Sequence, residues 1–326
     1  MLSFLFPTKC RRYRTNPFFA FMIAQEVTEY NSKRQQNPPR ESMVFWQNPH
    51  GFGRIRFAFS SGLRYNGKNV GRNEMTEFFT YFFGIGDTPE FSLFSLAHVA
   101  PIGLLIAAIF LIYRYREQLR ASRYETNLRY ILGFALVICD MSYYWRFTAL
   151  PGISPGVVET LPIAVCGWAV IFCGFMLVGK SRRLFDIAYF WLLSGSLFAL
   201  ITPTPLTYCG PTRFRYYQFW LEHTLGYVAI FYMIFVHGMR PNIRSMIRSY
   251  GALLAMAGLA AWVNAMIPGA NYLYMARPES APSVLDLLPP NYALRVTIIV
   301  AVITAMFLLA YLPWYLKDRK TGKAPA

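Results

Sequence analysis

Beyond about residue 90 the chain alternates between long apolar runs and short polar connections. Seven of these runs are long enough to cross a hydrocarbon core of about 30 Å, which takes roughly 20 helical residues. They lie near Leu93–Tyr113, Leu128–Phe147, Val158–Val178, Leu184–Thr202, Tyr216–Val236, Tyr250–Ile267 and Val296–Leu316. The sixth is the shortest and can extend toward Met246. The pattern predicts an all-α fold, a polytopic membrane bundle of seven transmembrane helices.

The polar connections set an orientation. Arg114, Arg116, Arg120, Arg123 and Arg129 share one side with Lys180, Arg182 and Arg183, with Arg240, Arg244 and Arg248, and with the C-terminal Lys317, Arg319, Lys320 and Lys323. The opposite side holds Arg146, Arg213, Arg215, Arg277 and Arg295. Basic loops stay cytoplasmic, so the expected topology is N-out and C-in, in the inner (cytoplasmic) membrane of a cell.

Composition agrees with that reading. Of 326 residues 55% are hydrophobic and 17% aromatic, and the mean hydropathy is +0.30. Charged residues make up 15%, below the quarter usual in soluble domains. A net charge of +16 on so apolar a chain points to basic cytoplasmic loops and not to nucleic acid. Cys10, Cys139, Cys166, Cys173 and Cys209 are odd in number and form neither a disulfide framework nor a zinc spacing. No phosphate loop, dinucleotide fingerprint or HExxH motif is present, and no membrane segment carries a lysine for a retinal Schiff base. No cofactor or metal is expected.

Residues 1–74 stand apart, with twelve Lys and Arg against four acidic residues. Such a segment is a poor candidate for export. It is expected to be a disordered tail or a start placed too far upstream, with residues 75–326 forming the membrane domain.

Ionisable groups at membrane depth are costly and by default mark a site. At about 1.5 Å per residue, Cys166 lies roughly 12 Å below the outer end of the third segment. His223 in the fifth, Asp140 in the second and His98 in the first fall at similar depth. Glu159, Gln218, Glu222 and Asn264 sit at or above that level, so polar groups of five segments converge on the outer third of the membrane. Arg213, Arg215 and Arg277 lie in the outer connections above, where guanidinium groups can hold an anionic head group or anchor to lipid phosphates. Interhelical hydrogen bonding is the plain alternative for each of these residues. A thiolate is a competent nucleophile and a nearby histidine is a standard means of making one, which makes Cys166 and His223 a candidate pair. His98 could serve as the base or pair with Asp140. Cys173 reads as a small buried hydrophobe, and His237 as interfacial at the cytoplasmic end.

These same stretches carry a resemblance. FSLFSLAH, YYWR…ETLPIAVC, KSRRLFDIAYFWLLSGSLFALITP, FRYYQFWLEHTLGYVAIFY and GANYLYMARPESAPSVLDLLPP occur in that order. Over most of residues 88–315 the chain resembles the YwaF family of bacterial membrane proteins, which includes animal transmembrane protein 164. The resemblance implies a seven-helix membrane protein, and its animal member implies cysteine-dependent acyl transfer on phospholipids. His223 matches the family's histidine of the fifth helix, and Cys166 a cysteine common in bacterial members. The animal nucleophile falls at Ile163 here, and the histidine usual beside it is replaced by Ala164.

Together these readings raise two functions, beside a structural or assembly role in which the polar groups only hold helices together. The first is a lipid acyltransferase or ester hydrolase in the outer leaflet, with Cys166 as nucleophile and His223 as base. Its partners would be membrane lipids, with a phospholipid or acyl-ester substrate. The second is a transporter or a lipid- or small-molecule-binding protein using the same polar layer.

Overall fold

The computed structural model describes residues 70–84, 86, 88–150, 156–203, 206–277 and 287–321. The described residues are helical with no strand, in agreement with the all-α expectation. Among them ten α-helices follow one another: α1 (Val70–Phe83), α2 (Leu96–Arg114), α3 (Arg116–Ala121), α4 (Glu125–Ala149) and α5 (Val157–Thr160). Next come α6 (Val165–Gly179), α7 (Arg182–Ile201), α8 (Phe214–Phe235), α9 (Ile243–Met266) and α10 (Tyr292–Thr321). Most of the basic extension 1–74 lies outside the described residues, and α1 runs across the expected boundary at Met75.

Each predicted segment corresponds to a helix, and the third is built from two, α5 and α6. Five spans are both long and apolar enough to cross a membrane: Leu96–Arg114, Val157–Gly179, Arg182–Ile201, Ile243–Met266 and Tyr292–Lys320. The remaining two, α4 and α8, are 25 and 22 residues long but carry Glu125, Arg129, Asp140 and Arg146 on α4, and Arg215 and Glu222 on α8. Within the five apolar spans the buried share falls to 17% in α2 and α9 and 11% in α10. In water such apolar surface would drive aggregation; in a bilayer it faces lipid.

Local chemistry explains where the helices begin and break. At the start of α9, Asn242 Oδ1 accepts from the Ser245 amide (2.8 Å) and Ser245 Oγ from the Asn242 amide (2.7 Å), a reciprocal cap. Lys180 ends α6 in a left-handed conformation, φ 50°, and Ser181 Oγ then caps α7. Pro162 cannot donate to a helix ladder, and the Leu161–Ala164 stretch between α5 and α6 is non-helical. One carbonyl freed there, that of Pro162, accepts from Trp168 Nε1 at 2.8 Å. A π-helical turn, Leu192–Ser196, interrupts α7.

The buried core is centred on α6, α7 and α8. Among its contacts are a Phe190–Phe307 stack at 5.0 Å and a Tyr189 hydroxyl bonded to the Ala310 carbonyl at 2.7 Å, both tying α10 to α7. Helix α4 packs most extensively on α6, and α8 packs on α2, α4 and α6. The α4–α6 crossing is close enough that a Cβ on Gly174 would lie 2.9 Å from the Gly133 carbonyl oxygen.

Candidate functional site

Three sets of contacts fix the relative heights of the helices. Where α4 meets α8, the Cys139 thiol donates to the Gln218 carbonyl (3.6 Å) and Gln218 Nε2 to the Cys139 carbonyl (3.3 Å). Where α6 meets α8, the Cys173 thiol donates to the Gly226 carbonyl at 3.7 Å. Helix α7 runs beside both: the Tyr227 hydroxyl donates to the Leu192 carbonyl (2.7 Å), and Ser196 Oγ donates to Cys166 Sγ (3.3 Å). One turn further along α7, the Leu200 carbonyl accepts from His98, whose ring lies 5.7 Å from that of Trp220. His223 falls between Trp220 and Tyr227 on α8, within about a turn of the level at which Ser196 meets Cys166. No hydrogen bond joins Cys166 to His223.

On the α4 side the same level is charged. Gln218 Nε2 donates to Glu222 Oε2 at 2.6 Å, and Arg215 donates to Gln218 Oε1 while its guanidinium lies 3.8 Å from Glu222 Oε2. Arg215 also covers the Tyr143 ring at 4.6 Å. Asp140 faces α6 at Gly167, where a Cβ would stand 2.8 Å from Asp140 Oδ1; a larger residue next to Cys166 would displace the carboxylate. Arg215 and Glu222 lie within electrostatic reach of Asp140, Cys166 and His223.

The two buried histidines differ in what they leave open. His98 Nδ1 accepts from the Phe94 amide (3.0 Å) and Nε2 donates to Leu200 O (2.9 Å), so both ring nitrogens are occupied. His223 Nδ1 sits 2.8 Å from the Phe219 carbonyl, which can only accept, so Nδ1 carries the hydrogen. His223 Nε2 is then a buried lone pair, and it has no hydrogen-bond partner among the described residues.

Other predicted residues take up local tasks. Asn264 bonds the Tyr272 backbone on both sides, at 3.0 and 2.7 Å, and holds the loop after α9. Glu159 is exposed on α5. Arg213 is buried, with Nε and a terminal nitrogen each 3.0 Å from Glu90 Oε1, another nitrogen donating to the Tyr81 carbonyl (2.6 Å), and its guanidinium over the Tyr81 ring. Partial burial disfavours the Glu90 carboxylate, but hydrogen bonds from Thr212 and Arg213 and the Arg213 charge outweigh it, holding Glu90 below the usual glutamate range. Arg277 remains exposed and donates to the Gly269 carbonyl. Ile163 packs in a separate cluster with Ala260, Val263 and Met275.

At the other end, Glu125 Oε1 accepts from Arg129 Nε (3.0 Å) and Tyr232 (3.2 Å), and His237 Nε2 lies at 2.7 Å. His237, expected at the interface, is thus held in a partly buried ionic cluster. Arg146, which the sequence places among the outer charges, is buried, donates to the Phe83 carbonyl (3.1 Å) and stacks on Tyr143 and Phe147.

Ser196, Trp220 and Tyr227 were missed by sequence reasoning. The Ser-Gly-Ser at 194–196, inside an apolar helix, is the one signal that marks the π-turn, and such turns gather at functional sites. Among the described residues no three His, Cys, Asp or Glu side chains are arranged to hold a metal ion.

No curated protein and no solved structure matches this chain. A family model described as the TMEM164 family matches residues 93–311, a range that contains α2–α9 together with the whole polar layer. Those apolar spans and that match make the chain an integral, multi-pass membrane protein, and it belongs to the TMEM164 family.

Proposed function

We propose that this chain is a seven-span, N-out/C-in protein of the inner membrane whose outer polar layer catalyses acyl transfer on phospholipids or other acyl esters. The observation that carries the reading is His223 Nε2, a buried base without a hydrogen-bond partner among the described residues. A buried acceptor without a partner costs about 1–3 kcal/mol, which a substrate or nucleophile proton would recover.

In the first half-reaction the Cys166 thiol gives its proton to His223 Nε2, and the sulfur attacks the ester carbonyl carbon. The carbon–oxygen bond to the glycerol breaks, the proton passes to the departing alkoxide, and a thioester and a lyso-lipid result. In the second, an acceptor hydroxyl gives its proton to His223 and its oxygen attacks the thioester; the thiolate leaves and takes the proton. Catalytic contacts that are long in a free enzyme close in the substrate complex. Ser196 favours the thiolate by donating to Sγ, and exposed Arg277 is available to a lipid phosphate.

The test is incubation in vesicles containing an alkyne-tagged diacyl phospholipid, followed by detection of tag on protein. A hydroxylamine-labile adduct on Cys166 is expected, lost in Cys166→Ala and slowed at least about 10²-fold in His223→Ala. Absence of adduct in the unmodified chain overturns the reading.

One observation favours a second reading. Cys166 bonds Ser196 and makes no bond to His223, while Arg215, Gln218 and Glu222 form their own network. A transport or binding site for a polar ligand would use that network. It would tolerate Cys166→Ala and fail in Glu222→Ala.

A further inference from the structure

Helix α8 presents four aromatic residues with polar tips, Tyr216, Trp220, His223 and Tyr227, at positions i, i+4, i+7 and i+11. Such spacing lays them along one stripe of a helix. All four are buried. The outer two are satisfied by backbone carbonyls, Tyr216 by Ala97 and Tyr227 by Leu192, each at 2.7 Å. The inner two are not: among the described residues Trp220 Nε1 is a buried donor without an acceptor and His223 Nε2 a buried acceptor without a donor. Trp220 is 5% exposed and His223 3%. Trp220 rests on His98, whose own nitrogens are both engaged, so the imidazole does not take its N–H.

An unmet donor one helical turn from an unmet acceptor fits a ligand that offers an oxygen to one and a hydrogen to the other. We propose that Trp220 Nε1–H is the donor to the ester carbonyl oxygen of the lipid, while His223 Nε2 receives the nucleophile's proton. This deepens the acyl-transfer reading and rests on it. When Cys166 sulfur adds to the carbonyl carbon, the π pair moves to the carbonyl oxygen, and the indole N–H stabilises that oxyanion until the pair returns and the alkoxide leaves. Preorganised donors act most strongly where water is excluded.

Two measurements test it. The first is the indole NH resonance of Trp220 in ¹⁵N-tryptophan-labelled Cys166→Ala protein, which does not turn over, in lipid nanodiscs. A downfield shift is expected when diester phosphatidylcholine replaces its dialkyl-ether analogue, which lacks the carbonyls. An equal resonance in both lipids, from a buried water or from no partner, overturns the proposal. The second is Trp220→Phe in otherwise unaltered protein. It is expected to lower kcat for adduct formation about 10²-fold with KM little changed. An unchanged kcat overturns the proposal. If Trp220→Phe does not fold, the resonance is assigned by elimination against the other six tryptophans, and the lipid comparison decides alone. The two ideas fail separately: a shift without any Cys166 adduct removes acyl transfer and keeps the subsite, whereas a normal adduct without a shift removes the subsite.

Discussion

Ser196 Oγ donates to Cys166 Sγ at 3.3 Å, across the interface between α7 and α6, from the last residue of a π-helical turn. The turn inserts an extra residue into the helix and rotates the residues beyond it, so the hydroxyl is aimed by backbone geometry. A regular α-helix through Leu192–Ser196 would turn Ser196 away from α6.

Removing that hydroxyl tests its chemical role. Ser196→Ala is expected to slow formation of the Cys166 adduct about fivefold, the rate equivalent of a hydrogen bond worth about 1 kcal/mol. Time courses of tag incorporation read this directly. A rate unchanged beside a lowered melting temperature would make the bond structural.

The α4–α6 crossing depends on two glycines. In Gly174→Ala the new Cβ would meet the Gly133 carbonyl and Val137 Cγ2, each at 2.9 Å, and backbone cannot yield as a flexible side chain does. A loss of about 1–3 kcal/mol is expected. Thermal unfolding in detergent should show it, while Gly258→Ala, with nothing within 4 Å, should not.

The ionic cluster around Glu125 holds α4 to the end of α8. Glu125 and Arg129 side chains are 11% and 4% exposed. Glu125→Ala leaves Arg129 without its carboxylate, at an expected cost of about 3–5 kcal/mol. Glu117→Ala breaks an exposed pair with Arg116 and is expected to cost less than about 1 kcal/mol. Chemical denaturation of both variants makes the comparison; equal losses would mean that Glu125 acts as a surface charge.

The Glu90–Arg213 pair carries a pH dependence with a definite sign. The folded state lowers the Glu90 value, so its contribution to stability is complete above the ordinary glutamate range. It is lost as pH falls through that range and then through the depressed folded value. Glu90→Gln is expected to melt lower than the unmodified chain at neutral pH, with the gap closing in acid. Melting curves across pH check this, and a gap that widens in acid would reverse the assignment.

Much of this was legible along the chain. Apolar run length predicted every long helix, because a helix crossing lipid must satisfy its own backbone and needs about 20 residues to do so. Counting residues along the helices also put Cys166 and His223 at one expected height, but it could not name Ser196 as the side chain that bonds Cys166. What spacing could not supply is direction around a helix. His98 and His223 look alike in sequence, yet one has both nitrogens engaged and the other keeps a bare Nε2. Arg213 and Arg215, two residues apart, point to different tasks, one binding Glu90 and the other Gln218.

The sequence by itself determined the helical, membrane-embedded fold and the family, since both follow from hydropathy and local motif order. Only the tertiary structure decided which polar groups have partners. A hydrogen bond needs a donor and an acceptor from helices distant in the chain, as with Ser196 and Cys166, thirty residues apart. That His223 Nε2 and Trp220 Nε1 have no partner among the described residues can be recognised only when the neighbouring helices are in place.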